Sequence, residues 1–361
     1  MKPNIFTWLA AITLCGCADS EVSNKSNNPI NVKGMTNEAA VANYATDSNI
    51  ERETKVFLKA LNTSGGKPME TMTPSEARTV LEGAQTSVIA DVSGVDVTQK
   101  TISADGLEIK LFIMRPQGAQ GQLPAFMFFH GGGWVIGDFP THQRFIRDLV
   151  VNSGAAAVHV EYSLSPEARY PVAVNECYAA TKWIAEHGAE IGVDGSRLAV
   201  AGNSAGGNLA AAVALMAKEK KGPSIRFQLL FWPVTNANLE TTSYQQFATD
   251  RFLTRNMMRW FWDQYISDPK QQKEIYASPL QATQEQLKGL PPALVQTAEN
   301  DVLRDESEAY ARKMNEAGVP VTLVRYQGMI HDYGLLNPLA KLPAVQSALL
   351  YGATALQNAL R

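Results

Sequence analysis

Cysteine is scarce in this 361-residue chain. There are three, and two of them, Cys15 and Cys17, fall near the start. No disulfide framework can be built from that supply, and no spacing fits a zinc site or a redox C-x-x-C pair. Cys177 lies in an apolar-periodic stretch and is expected to pack in the core. Histidine is almost as rare, with His130, His142, His159, His187 and His331, so the search for a base is short. Charge of one sign is missing too. Thirty-two basic residues face 35 acidic ones, the net charge is −3, and no basic block stands out. That excludes nucleic acid and acidic surfaces as partners. The Lys218–Lys221 cluster reads as a solvated helix end. Neither G-x-x-x-x-G-K-[ST] nor G-x-G-x-x-G occurs, which argues against a phosphate loop. No internal repeat is found. What remains is a 45% hydrophobic chain, ample for one large core.

The N-terminus has Lys2 followed by an apolar stretch, Ile5–Leu14, too short to span a bilayer. It has the form of a secretory signal. Its end, Leu14-Cys15-Gly16-Cys17, resembles the bacterial lipoprotein signal. The resemblance implies removal of residues 1–16 and lipidation of Cys17, a membrane tether in which each buried methylene contributes about 0.8 kcal/mol. Ala18 after the cysteine would suit the outer membrane of a Gram-negative host. The alternative is an ordinary cleaved signal with incidental cysteines. Residues 17–34, rich in Asn and Ser, read as a flexible tether.

Two helical patterns follow, over about 48–61 and after Thr73-Pro74-Ser75-Glu76, a capping-box signature. From Val95 the period changes to two, and Asp105-Gly106 joins two strands. Strands are then expected at 125–129, 155–160, 198–201, 225–232, 293–297 and 321–326. Helices are expected at 141–152, 172–187, 205–218, 305–317 and 343–358. This is the pattern of a mostly parallel sheet covered on both faces. Residues 235–277, rich in Phe, Trp and Met, interrupt it as a helical insertion.

Gly202-Asn203-Ser204-Ala205-Gly206 sits between an apolar strand and a long helix. G-x-S-x-G in that setting is a nucleophile elbow, with glycines where a Cβ would clash and the serine lifted clear of the strand end. A serine hydroxyl needs a base and an orienting carboxylate. His331 and Asp301 follow later strands at the same sheet edge, with Glu299 as the nearest rival acid. His159 reads as a strand residue, and Asp305 and Glu306 as first-turn acids favoured by the helix dipole. His130-Gly131-Gly132-Gly133-Trp134 follows a buried strand, and its bare N–H groups could hold an oxyanion. Ala205 would add another N–H.

With Tyr162-Ser163-Leu164-Ser165-Pro166-Glu167 and Asp301-Val302-Leu303-Arg304-Asp305-Glu306, these motifs resemble the hormone-sensitive-lipase-like (bacterial family IV) carboxylesterases over about residues 75–340. The resemblance implies an α/β-hydrolase domain over 35–361, with a cap from about 35–90 and 235–277. It implies a catalytic triad of Ser204, Asp301 and His331, and an oxyanion hole from Gly131, Gly132, Gly133 and Ala205. It implies short- to medium-chain ester substrates and no metal or organic cofactor. Relatives in that family often pair through edge strands or the last helix, so a homodimer is among the expectations. Four positions depart from the family pattern. Asn203 stands for the usual Asp, Val302 for Pro, and Asp332-Tyr333 for Gly-Phe after the histidine. Asp332 would raise the pKa of His331. The other readings of the same machinery are an amidase or deacetylase on an aryl or sugar substrate, and a non-catalytic ligand-binding protein. The presence of His331 argues against the last, since receptors derived from the family have lost the histidine.

Overall fold

The computed structural model describes residues 43–361. The expected signal, Cys15, Cys17, the tether and the first residues of the expected cap lie outside the described residues. Among the described residues no helix is long and apolar enough to cross a membrane.

The chain first forms α1 (Arg52–Thr63) and α2 (Pro74–Thr86), the latter opened by the expected capping box of Thr73 and Glu76. Next come β1 (Val95–Ala104) and β2 (Leu107–Pro116), a hairpin whose turn residues Asp105 and Gly106 both take positive φ. The two-residue turn with that handedness matches the strand twist. The main alternation follows: β3 (Leu123–Phe129), α3 (Phe139–Ser153), β4 (Ala156–Glu161), α4 (Val172–His187), β5 (Val193–Asn203), α5 (Ala205–Glu219) and β6 (Ile225–Phe231). The insertion carries α6 (Thr242–Gln246) and α7 (Arg255–Tyr265), and the short α8 (Gln284–Leu287) follows it. The chain closes with β7 (Ala293–Asn300), α9 (Arg304–Glu316), β8 (Val321–Ile330) and α10 (Pro343–Ala359).

All eight strands lie in one sheet, ordered β1-β2-β4-β3-β5-β6-β7-β8. The β1–β2 and β2–β4 pairings are antiparallel and the other five are parallel. The mostly parallel, doubly covered sheet is the one the alternation predicts. Burial on both faces explains the unbroken apolar run of β3. Ala125, Met127 and Phe129 pack with α4, α5 and α9 on one face, while Phe126 and Phe128 pack with α3 and α10 on the other. Cys177 of α4 is fully buried, as expected, and burial pushes its thiol pKa well up.

The strand-to-helix turn between β5 and α5 positions the site. A Cβ on Gly206 would strike the Phe129 carbonyl, and one on Gly202 the Gly206 carbonyl. Every residue from Ala205 to Ala217 is buried, and the small Gly and Ala side chains let α5 lie close on the sheet. Its larger members, Leu209, Val213 and Leu215, each contribute roughly 1.5–3 kcal/mol by burial.

Several boundaries differ from expectation: β5 starts earlier, at Val193, and β7 runs on to Asn300, so that Asp301 follows it directly. The first helix starts at Arg52, because Glu51 caps it and Ile50 pairs instead with Gly328. Strand β8 runs on through Gly328 to Ile330, with Gly328 taking a left-handed φ of 75°. That glycine makes the stretch look like a loop in sequence, yet His331 follows the strand directly.

Candidate active site

The carboxyl ends of β3, β5 and β8 converge on one cavity of about 560 Å³, and the end of β7 lies behind His331. Ser204 enters it from the turn after β5, with φ 54° and ψ −120°. This conformation is costly for a residue with a side chain and is imposed by the tight turn. Its Oγ lies 2.9 Å from His331 Nε2. On the far side of the ring, His331 Nδ1 lies 2.7 Å from Asp301 Oδ2. The second oxygen of Asp301 accepts the Leu303 N–H at 2.9 Å, which fixes the carboxylate plane. Glu299 does not reach the ring; its Oε2 accepts the Gly328 N–H at 2.8 Å. All three of Ser204, Asp301 and His331 are buried.

The sequence profile of the alpha/beta hydrolase fold family matches residues 126–335, which contain all three side chains. The chain belongs to the α/β-hydrolase family. An α/β hydrolase of Acanthamoeba polyphaga mimivirus is 38% identical to it over 83% of this chain and 86% of its own length. The carboxylesterase NlhH of Mycobacterium tuberculosis is 37% identical over 73% of this chain and 83% of its own length. Among solved structures, a thermostable esterase from Pseudomonas putida is 64% identical, covers 87% of this chain and 99% of its own, and superposes with a TM-score of 0.87.

In this hydrolase the glycine loop does not offer all its N–H groups. Gly131 N–H donates to Asn203 Oδ1 at 3.0 Å and also faces His142 Nε2 at 3.2 Å. The expectation that Gly131 helps hold an oxyanion is therefore corrected: its donor is already committed. Gly132 and Gly133 line the cavity, and their N–H groups make no hydrogen bond among the described residues. The Ala205 N–H, at the first turn of α5, is likewise without a partner there, as helix N-terminal donors are. The loop is shaped for glycine. Gly132 has φ 103°, and a Cβ on Gly133 would strike the Phe261 ring.

Behind the loop sit three histidines. His142 Nδ1 donates to the Asp138 carbonyl at 3.1 Å, which leaves Nε2 as the acceptor facing Gly131. His130 stacks on Tyr162 at 4.1 Å, and its carbonyl accepts the Tyr162 hydroxyl at 2.8 Å. His159 stacks on His130 at 5.5 Å. Burial pushes the pKa of His130 down to about 4 and those of His142 and His159 well below 6.5. All three are neutral supports of the loop. Sequence reasoning missed this role for His142, and the only signal for it was its position just after the glycine loop.

Asn203 and Asp332, the two departures nearest the serine, meet. Asn203 Nδ2 donates to Asp332 Oδ1 at 3.0 Å, and Trp232 Nε1–H donates to the same oxygen at 2.7 Å. Position 203 must accept from a backbone N–H on one side and donate to a carboxylate on the other. An amide does both and a carboxylate cannot. The other oxygen of Asp332 is 3.8 Å from His331 Nε2. Burial disfavours a charged imidazole, but Asp301 and Asp332 together outweigh it and hold the His331 pKa above its ordinary value. This is the direction expected from sequence for Asp332.

The cavity wall opposite the serine comes from the cap. Phe57 and Leu61 of α1, Leu81 of α2, and Phe252, Met257 and Phe261 of the insertion line it. The other insertion aromatics do not. Trp262 and Tyr265 pack on Trp134, with the Trp134–Tyr265 rings stacked at 4.2 Å. Glu306 is not the dipole-favoured surface acid its position in the first turn of α9 predicts. It is buried and accepts the N–H groups of Thr235 and Asn236, tying the start of the insertion to α9, and burial pushes its pKa well up. Among the described residues no cluster of His, Cys, Asp or Glu is arranged to hold a metal ion.

Proposed function

We propose that this hydrolase is a serine carboxylesterase that cleaves short- to medium-chain acyl esters, about C2–C8 as the family resemblance implies and a capped cavity favours, through an acyl-enzyme on Ser204. It is a carboxylic ester hydrolase, in keeping with its esterase relatives. The finer reading is carried by one observation: the continuous hydrogen-bonded line from Ser204 Oγ through His331 to Asp301, opening into an apolar cavity.

In this reading Ser204 Oγ attacks the acyl carbon while His331 Nε2 takes its proton. Asp301 stabilises the imidazolium and holds Nδ1–H. The carbonyl oxygen becomes an oxyanion, received by the N–H groups of Gly132, Gly133 and Ala205, each worth about 3–4 kcal/mol when well placed. The C–O bond breaks, and the alcohol leaves with the proton from His331. Water, deprotonated by His331, then attacks the acyl-enzyme, and the acid departs as Ser204 regains its proton. The test is hydrolysis of p-nitrophenyl acetate and butyrate by wild type and Ser204→Ala, with mass spectrometry for the acylated serine peptide. Turnover that survives Ser204→Ala in a folded protein refutes the reading.

We further propose that the mature enzyme, residues 17–361, is held in the cell envelope by acyl chains on Cys17. The Leu14-Cys15-Gly16-Cys17 pattern supports this. Palmitate labelling of the expressed protein that persists in Cys17→Ala would overturn it.

A further inference from the structure

A buried ion pair away from the catalytic centre ties two distant parts of the cap together. Residues 47–51 form a short strap between the described N-terminus and α1. One end of the strap is fastened to the catalytic framework. The Asn49 carbonyl accepts Asn300 Nδ2–H at 3.0 Å, and Asn300 immediately precedes Asp301. Glu51 N–H donates to the Gly328 carbonyl at 3.0 Å, on the strand that leads to His331. Ile50 is buried and bridges to Gly328. Strap and strand ends therefore form one fixed body, and Asp47 is a post standing on it.

Arg251 of the insertion is bound to that post. Its Nη2 donates to Asp47 Oδ2 at 2.8 Å, with the Arg251 side chain fully buried and that of Asp47 8% exposed. A charge buried this deeply is retained only when it is compensated, so the pair constrains the loop that carries it. The loop is under backbone strain. Asp250 and Phe252, on either side of Arg251, have φ of 64° and 72° without being glycine. Such conformations persist where the surroundings over-determine them. With Arg251 turned to the strap, the next residue, Phe252, is turned to the cavity, where its ring meets Phe57 at 6.1 Å. Phe252 is itself only half-buried, so packing alone holds it weakly.

We infer that the Asp47–Arg251 pair determines acyl-chain selectivity by holding Phe252 as a wall of the substrate cavity, an inference that rests on the ester-hydrolysis reading above. Released from Asp47, the 250–252 strain relaxes, Phe252 leaves the wall, and longer acyl chains fit. Asp47 and Arg251 touch no reacting atom; they act through Phe252 as positioning residues.

The experiment measures kcat/KM for p-nitrophenyl octanoate relative to acetate in the full chain. The variants are Asp47→Ala, Phe252→Ala, both together, and Asp47→Asn, which keeps an oxygen acceptor for Arg251. Near-UV circular dichroism checks the fold. Phe252→Ala and Asp47→Ala should each raise the octanoate-to-acetate ratio by about tenfold or more, since one methylene in an apolar pocket already discriminates by that order. Asp47→Asn should raise it less, and it carries the comparison if Asp47→Ala does not fold. The double variant should match Phe252→Ala alone. An unchanged ratio, an equal fall on both esters, or effects that multiply in the double variant would overturn the inference. Absence of any ester turnover in wild type would refute the esterase reading instead. The same variants would then be read by the ratio of Kd values for octanoate and acetate, with the same expectations.

Discussion

Replacing Asn203 by aspartate would give the chain the residue its family usually carries there, and the structure says that this should be harmful. The change removes the Nδ2 donor and sets a carboxylate oxygen where that donor stood, 3.0 Å from Asp332 Oδ1. Two unit charges about 3 Å apart repel by roughly 5 kcal/mol at an effective dielectric of about 20. Trp232 Nε1–H still donates to Asp332, and the Gly131 N–H still finds an oxygen at position 203, so part of the network survives. A net loss of about 2–4 kcal/mol of folding stability is expected after local relaxation. The repulsion requires both carboxylates to be ionised. The folded variant therefore binds a proton more readily than the unfolded chain, and its deficit must shrink as pH falls. Urea unfolding at pH 8 and pH 5 measures this directly. Adding Asp332→Asn to Asn203→Asp should restore part of the stability, because the charge repulsion is gone, although an amide NH2 turned to the new carboxylate no longer accepts the Trp232 Nε1–H at that position. The reasoning fails if Asn203→Asp matches wild type at pH 8, or if the second substitution adds to the loss.

Two other expectations concern histidines. The proposed mechanism needs neutral His331, whose pKa is held above its ordinary value by Asp301 and Asp332 against the effect of burial. Asp332→Asn removes one of those charges, so the acid limb of the kcat/KM profile should move to lower pH; a limb that stays in place refutes the electrostatic role of Asp332. The second concerns acid stability. The depressed pKa values of His130, His142 and His159 mean that the unfolded chain binds more protons than the fold once pH drops below about 6.5, so stability falls with pH. For His130, with its pKa at about 4, the accumulated loss is about 3 kcal/mol at pH 4. His159 makes no ring hydrogen bond and stacks on Phe128, with Phe112 and Phe139 edge-on to it. His159→Phe should therefore cost less than ~1.5 kcal/mol at pH 7 and flatten the decline below pH 6.5; an unchanged slope in a pH series of urea midpoints would count against it.

The sheet and its helices were legible because each strand and helix carries its own period, and the central strands are apolar on both faces. The serine turn was legible for a steric reason, since Gly202 and Gly206 are the residues whose Cβ atoms would strike backbone. Asn203 was visible only as a departure. Its fitness depends on Gly131 and Asp332, which lie 72 and 129 residues away in sequence, and no local pattern records a donor and an acceptor on opposite sides of one amide. The committed N–H of Gly131 was hidden for the same reason, as was the acceptor nitrogen of His142. The strap at 47–51 has no periodicity at all. Ser48, Asn49 and Ile50 resemble a helix start, and only the distant partners Asn300 and Gly328 show that they belong to a different structure.

Those distances also say something about how the molecule comes into being. Asn49 waits 251 residues for Asn300, and Gln85 of α2 waits 250 for the Leu335 carbonyl and 252 for Asn337. Synthesis proceeds from the N-terminus at about 5–20 residues per second, so α2 meets Val135, Thr141 and Glu167 within seconds, but Asn300, Leu335 and Asn337 are made tens of seconds after the residues that wait for them. Contacts of such long sequence separation form late in folding. Until the last strand arrives, Ser204 has no His331 beside it, and a chain cut before that strand is a hydrolase without a complete site. The α1 and α2 side of the cavity wall is made early and receives its last partners only at the end.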